Sequence, residues 1–92
     1  MAKTTKTGKQ LERYFKGVAN HWRIDVLFLL SEKDNLSLDA IAKELDCNFK
    51  TISEHTKKLV NAGLLNKTYR GREVSHSLSP YGRRFITFIM TF

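Results

Sequence analysis

The side chains with the greatest chemical reach fall in one stretch, where Lys50, Thr51, Ser53, Glu54, Lys57 and Lys58 are interleaved with Ile52, Thr56 and Leu59. A second group follows, Arg70 and Arg72 on either side of Gly71. These are cations, hydroxyls and one carboxylate, groups that recognise a polar or anionic surface by hydrogen bonds and charge. They do not form a nucleophile with an oriented base, nor a ligand cluster, so an enzyme is not expected. His21, His55 and His76 are dispersed, with no acidic or cysteine partner recurring at ligand spacing, and no metal or cofactor is expected. His55 is read as a packing or hydrogen-bonding residue. Cys47, the single cysteine, has no partner for an internal disulfide and is read as a small apolar filler; a redox role would demand an exposed, electropositive setting.

Composition agrees with recognition of a polyanion. Sixteen Lys and Arg against nine Asp and Glu give +7, and the positive charge gathers at the N-terminal arm, at positions 47–63 and after position 64, while 20–46 is mildly acidic. Nucleic acid is the leading partner on this balance. A chain of 92 residues makes one domain whose thin core would gain from a second subunit, and it has no room for a large enclosed substrate pocket. The longest apolar run, Val26–Leu30, is far short of the roughly 20 residues of a membrane span, and no secretory leader is evident, so a cytoplasmic, non-membrane protein is expected. Residues 1–8 lack apolar periodicity and are expected to be a flexible basic arm, with Lys3, Lys6 and Lys9 adding loose charge; 9–92 form the domain.

The elements that must carry these groups follow from periodicity. Leu11, Tyr14, Phe15 and Val18 fall on one helical face, predicting a helix over Lys9–Val18. Asn20 is placed to cap a second, largely buried helix with Trp22, Val26, Leu27, Leu29 and Leu30, ended by Lys33-Asp34-Asn35. Ser37 caps a short helix presenting Leu38, Ile41, Ala42 and Leu45; Asp46-Cys47 forms a tight corner. Asn48 then caps a helix from Phe49 to about Ala62, with Ile52, Thr56, Leu59 and Val60 inward and Gly63 as its stop. Beyond it the period changes to two, predicting a hairpin in which Arg70-Gly71-Arg72 turns the chain. Ser79-Pro80 opens a last helix bearing Tyr81, Phe85, Phe88, Ile89 and Phe92.

Helix, tight corner, capped helix and two-stranded hairpin in this order is the layout of a winged helix-turn-helix, a mainly α fold with a small β-hairpin. Within it, SLDAIAKELDCNFKTISEHTKKLVNAGLL from Ser37 to Leu65 resembles the ArsR type of bacterial and archaeal regulators, over about residues 15–80. Ile52-Ser53-Glu54-His55, Leu59 and Ala62-Gly63-Leu64-Leu65 look like that family's recognition helix and its exit into the wing. The start of its central helix looks like Asn20-His21-Trp22-Arg23-Ile24-Asp25-Val26-Leu27. A recognition helix fits the DNA major groove with its N-terminal residues at base edges. Lys50 is then expected to donate to guanine, Glu54 to accept from cytosine, and Thr51 and Ser53 to serve base or phosphate. Lys57 and Lys58 suit phosphates, and Arg70 and Arg72 a minor groove or the backbone.

Relatives in this group that sense metals use a cysteine pair near the start of the helix-turn-helix or His and Asp pairs in the last helix. This chain has Leu36-Ser37-Leu38 at the first place and none of those ligands in Pro80–Phe92, so metal sensing at either is not expected. The stripes Leu11, Tyr14, Phe15, Val18 and Phe85, Phe88, Ile89, Phe92 are expected to pair two subunits and so set the spacing of two recognition helices. The function expected is a homodimeric, sequence-specific transcriptional regulator on a pseudo-palindromic operator in double-stranded DNA. The alternative is a protein-interaction module that uses the same scaffold and docks through its aromatic last helix.

Overall fold

The structure, a computed structural model, describes residues 5–92. The elements run α1 (Gly8–Val18), α2 (His21–Glu32), α3 (Leu38–Glu44), α4 (Phe49–Asn61), β1 (Leu65–Arg70), β2 (Glu73–Leu78) and α5 (Pro80–Ile89). Each helix begins where a short polar side chain can take up its first free N–H groups. Thr7 and Gln10 close a capping box on α1, Thr7 Oγ1 accepting from Gln10 N at 3.1 Å and Gln10 Oε1 from Thr7 N at 2.9 Å. Asn20, Ser37, Asn48 and Ser79 cap the other four.

The core is built around α2 and α4. Val26, Leu27 and Leu30 meet Ile41 of α3, Ile52 and Leu59 of α4, and Leu64 beyond it, all essentially sealed from water. Such burial stabilises by about 1.5–3 kcal/mol per large aliphatic side chain, which is what holds α4 at a fixed attitude. The corner before α4 turns at Asp46, whose φ of 49° is one of the few left-handed values an aspartate tolerates. Gly63 ends α4 at φ 81°: its N–H donates to Val60 O, and that of Leu64 to Leu59 O, both at 3.0 Å, the two bonds of a Schellman motif.

β1 and β2 pair antiparallel from Leu65↔Leu78 to Arg70↔Glu73, so the loop is the two residues Gly71-Arg72, with φ of 60° at Gly71. A glycine at the first central position belongs to the II′ turn, whose twist suits a hairpin. The sheet has an edge that periodicity did not predict. Leu36 pairs with His76, N–H to O at 3.1 Å one way and 2.8 Å the other, fastening the wing to the segment before α3. The wing is tied at its base as well: Ser79 Oγ donates to Gly63 O at 2.6 Å while accepting from Gly82 N at 3.0 Å. Gly82 lies so close to the Leu64 carbonyl oxygen that a Cβ there would collide with it. α5 stops at Ile89, short of the expected run: after the Met90 N–H bond to Ile86 O the chain tightens to i→i−3 bonds, Thr91 N–H to Phe88 O and Phe92 N–H to Ile89 O, and Phe92 lies past the helix end, edge-on to Phe88 at 5.3 Å.

Candidate nucleic-acid interface

The N-terminus of α4 is held by Asn48, whose Oδ1 accepts from the N–H of Lys50 at 2.8 Å and of Thr51 at 3.3 Å. With 3.6 residues per turn, burying Ile52, Thr56 and Leu59 turns positions 50, 54 and 57 to the opposite side. Lys50, Glu54 and Lys57 are exposed there, Lys58 is exposed beside them, and Thr51 and Ser53 are half-buried on the two flanks. The wing carries Arg70 and Arg72, both exposed. Among the described residues, Lys50, Lys57, Lys58, Arg70 and Arg72 form no ion pair, in contrast to Lys16 with Glu12, Lys33 with Glu44 and Arg83 with Asp34. The cations of this side are therefore not already neutralised from within the fold.

An open cleft of about 930 Å³ joins the two parts, with Phe49 at the start of α4, Ser37 and Leu38 at the start of α3, and Lys67, Arg70 and Arg72 on the wing. A rod-shaped polyanion lying against α4 would meet the wing cations across it. The positive end of the α4 dipole points the same way. Lys67 and Phe49 were not singled out by sequence reasoning. Lys67 had a signal, a cation alternating along β1, whereas Phe49 sits at a helix start where no inward stripe assigns it a side.

Two histidines lie next to this side. Burial holds His76 below its ordinary pKa, the Lys67 charge adding to the effect and the Leu36 carbonyl opposing it; its Nδ1 is 3.3 Å from that carbonyl. His55 on α4 is also lowered, by burial first and then by the charges of Arg23 and Lys58. Arg23 Nε donates to His55 Nδ1 at 3.2 Å. The expected packing role of His55 thus has a specific partner on α2. Cys47 is half-buried and packed against the core. No group of three or more His, Cys, Asp and Glu suited to a metal ion occurs among the described residues.

The aromatic side is elsewhere. Tyr14 and Val18, expected at a subunit contact, are buried in this chain's own core, because α1 turns them toward α2 and α4 and Tyr14 packs on Tyr81 at 5.0 Å. Leu11, Phe85 and Ile89 are half-buried, while Phe15, Phe88 and Phe92 stand out into solvent, with Met90 beside them. Phe15 meets Phe85 edge-on at 5.3 Å, bringing α1 and α5 into one face. Of the arm cations, Lys3 lies outside the described residues, Lys9 is in the first turn of α1, and the Lys6 ammonium sits 5.0 Å from the Tyr81 ring centre.

Five helices, a two-stranded hairpin and an exposed basic helix-turn-helix define a winged helix-turn-helix DNA-binding domain. A family model for the arsR family of bacterial regulatory proteins matches residues 21–67, more than half of the chain, and the chain belongs to that family, whose members regulate transcription and are not enzymes. Three solved structures share the fold. The homodimeric winged helix-turn-helix DNA-binding domain Mb0332 of Mycobacterium bovis is 21% identical with a TM-score of 0.81, over 97% of this chain and 88% of that one. HlyU from Vibrio cholerae N16961 is 23% identical at 0.80, over 94% of each chain. The transcriptional repressor PagR of Bacillus anthracis is 21% identical at 0.80, over 88% of this chain and 93% of that one. Among curated proteins none matches the sequence. No helix among the described residues is long and apolar enough to cross a membrane.

Proposed function

We propose that the protein regulates transcription by occupying a pseudo-palindromic operator as a homodimer in the cytoplasm, the α4 of each subunit lying in a major groove. The observation that carries this reading is the set of exposed cations without an ion pair on α4 and on the wing, where Arg70 and Arg72 line a cleft that reaches the start of α4 at Phe49. In this reading Lys50, Thr51, Ser53 and Glu54 meet base edges, Lys57 and Lys58 the phosphates, and Arg70 and Arg72 grip the backbone or enter the minor groove. The exposed Phe15, Phe88 and Phe92 supply the dimer contact, with half-buried Leu11, Phe85 and Ile89 around them. Residues 9–92 act as the domain, with Thr7 and Gly8 opening its first helix, and the segment before those as a basic arm. The half-sites then lie roughly 34–36 Å apart, one helical turn of DNA.

Selection of bound duplexes from a random pool tests this directly, with affinity followed against salt. The expected result is a palindromic consensus and a log–log salt slope of several released counterions. Salt-independent binding, or none, defeats it. Monomeric protein at micromolar concentration that still takes up a protein partner through the aromatic face would instead favour the interaction-module alternative.

A further inference from the structure

Arg23 makes a set of bonds that joins three helices. Its Nη1 donates to the carbonyls of Lys16 at 3.0 Å and Gly17 at 3.3 Å, the last turn of α1, while its Nε donates to His55 Nδ1 on α4. The residue itself stands in the first turn of α2. The Lys16 carbonyl takes only a long 3.4 Å bond from the Ala19 N–H and that of Gly17 is one of the helix's free C-terminal acceptors, so a guanidinium is a fitting group to complete them. Gly17 lies against Ala62 at the far end of α4, so α1 already abuts α4 closely there. His55 is one helical turn from Thr51 and three residues from Lys58, on the flank where the expected base- and phosphate-contacting side chains begin.

We infer that Arg23 is a positioning residue for DNA recognition: through His55 it fixes the rotation and depth of α4 relative to α1, the helix that carries part of the exposed aromatic face. The planar guanidinium suits this because its donors are held in a rigid fork, so a bond to α1 and a bond to α4 cannot shift independently. The bond also specifies the imidazole. An Nε–H donor requires a bare Nδ1, which places the ring proton on Nε2. A change in how α1 is packed, such as pairing with a second subunit, is thereby carried to the middle of the recognition helix by this side chain, beside the direct Gly17–Ala62 contact at the helix's far end. The inference rests on the DNA-binding reading above, and the test separates the two.

The test uses the full chain, a duplex selected from the random pool and an unrelated duplex of equal length. Selectivity is the ratio of the two dissociation constants, which a partly unfolded sample leaves unchanged. Arg23→Lys keeps the charge and a bond to α1 but loses the Nε donor; it is expected to cut selectivity about tenfold. His55→Phe is expected to do the same, and the double variant no more than either, as two members of one unit behave. His55→Asn puts an acceptor oxygen at the place of Nδ1 and is expected to stay within about twofold of the parent. Nitrogen NMR of the parent protein should show His55 bare at Nδ1, and a mixture of tautomers in Arg23→Lys. Unchanged selectivity in Arg23→Lys and His55→Phe, additive losses in the double variant, or a proton on Nδ1 in the parent protein overturns the inference. A parent protein that binds neither duplex overturns the DNA reading along with it.

Discussion

Phe49 on the α4–wing side is 49% exposed, and Phe15 and Phe88 on the α1–α5 side are 53% and 50% exposed, so ring for ring the two faces leave similar aromatic surface in water. What surrounds them differs. Phe49 is set among Lys67, Arg70 and Arg72 across an open cleft, whereas Phe15 and Phe88 join Leu11, Phe85, Tyr14 and Tyr81 around a smaller hollow of about 280 Å³, with Lys6 and Arg84 at its edge. Solvated cations cost the free domain little and respond to a polyanion. Apolar area left in water forgoes roughly 25 cal/mol per Å² and is recovered only by covering it. The two faces therefore suggest two unlike partners, one charged and one apolar, held together through α2.

The sharpest way to break that contrast is to charge the apolar face. Phe15→Glu combined with Phe88→Glu is expected to leave a folded monomer. It should weaken binding to a full operator by on the order of a hundredfold, because the second half-site is no longer engaged as an intramolecular event. Sedimentation and a binding titration on half- and full-site duplexes check this; full-site affinity retained by a monomer would separate the aromatic face from DNA binding. On the other side, Lys50→Ala or Ser53→Ala should relax choice at one base position by about 1–3 kcal/mol, read by repeating the selection with the variant. Arg70→Ala or Arg72→Ala should weaken all duplexes alike and lower the salt slope by about one; a base-specific loss would mean that the wing reads sequence.

A smaller effect concerns the fastening of the wing. Burial depresses the His76 pKa below its ordinary 6.5, and its Nε2 has no hydrogen-bond partner, so the folded state holds it neutral. The unfolded chain then binds the extra proton first. Stability from this group is complete above pH 6.5 and is lost as pH falls from there toward the depressed folded value. Denaturation midpoints at pH 7.5 and pH 5.5 should show the loss, reduced in His76→Gln. Smallest of all, Thr56 Oγ1 is buried without a partner, and Thr56→Val should stabilise the fold by about 1 kcal/mol with DNA affinity untouched.

Much of the α4 side was legible from sequence because its signals are local. Asn48, Asp46 and Gly63 state where the helix starts, how it is approached and where it ends, and the i, i+4, i+7 spacing of Ile52, Thr56 and Leu59 fixes which side faces out. The α1–α5 side was legible only in part. A stripe of apolar residues says that a face will be covered, not by what, and so Tyr14 and Val18 looked equivalent to Phe15 although the fold buries the first two and exposes the third. Neither the Leu36–His76 bridge nor the Arg23–His55 bond had any sequence signal, since their members are 40 and 32 positions apart.

The sequence by itself determined the order of elements, the caps of α2 to α5, the hairpin and the excess of positive charge, since each depends on neighbours within a turn or two of chain. Only the tertiary structure decided which apolar residues the core consumes, how the wing is moored and which side chain links α1 to α4. Those depend on contacts between distant segments, and a one-dimensional pattern does not encode the distances that make a hydrogen bond.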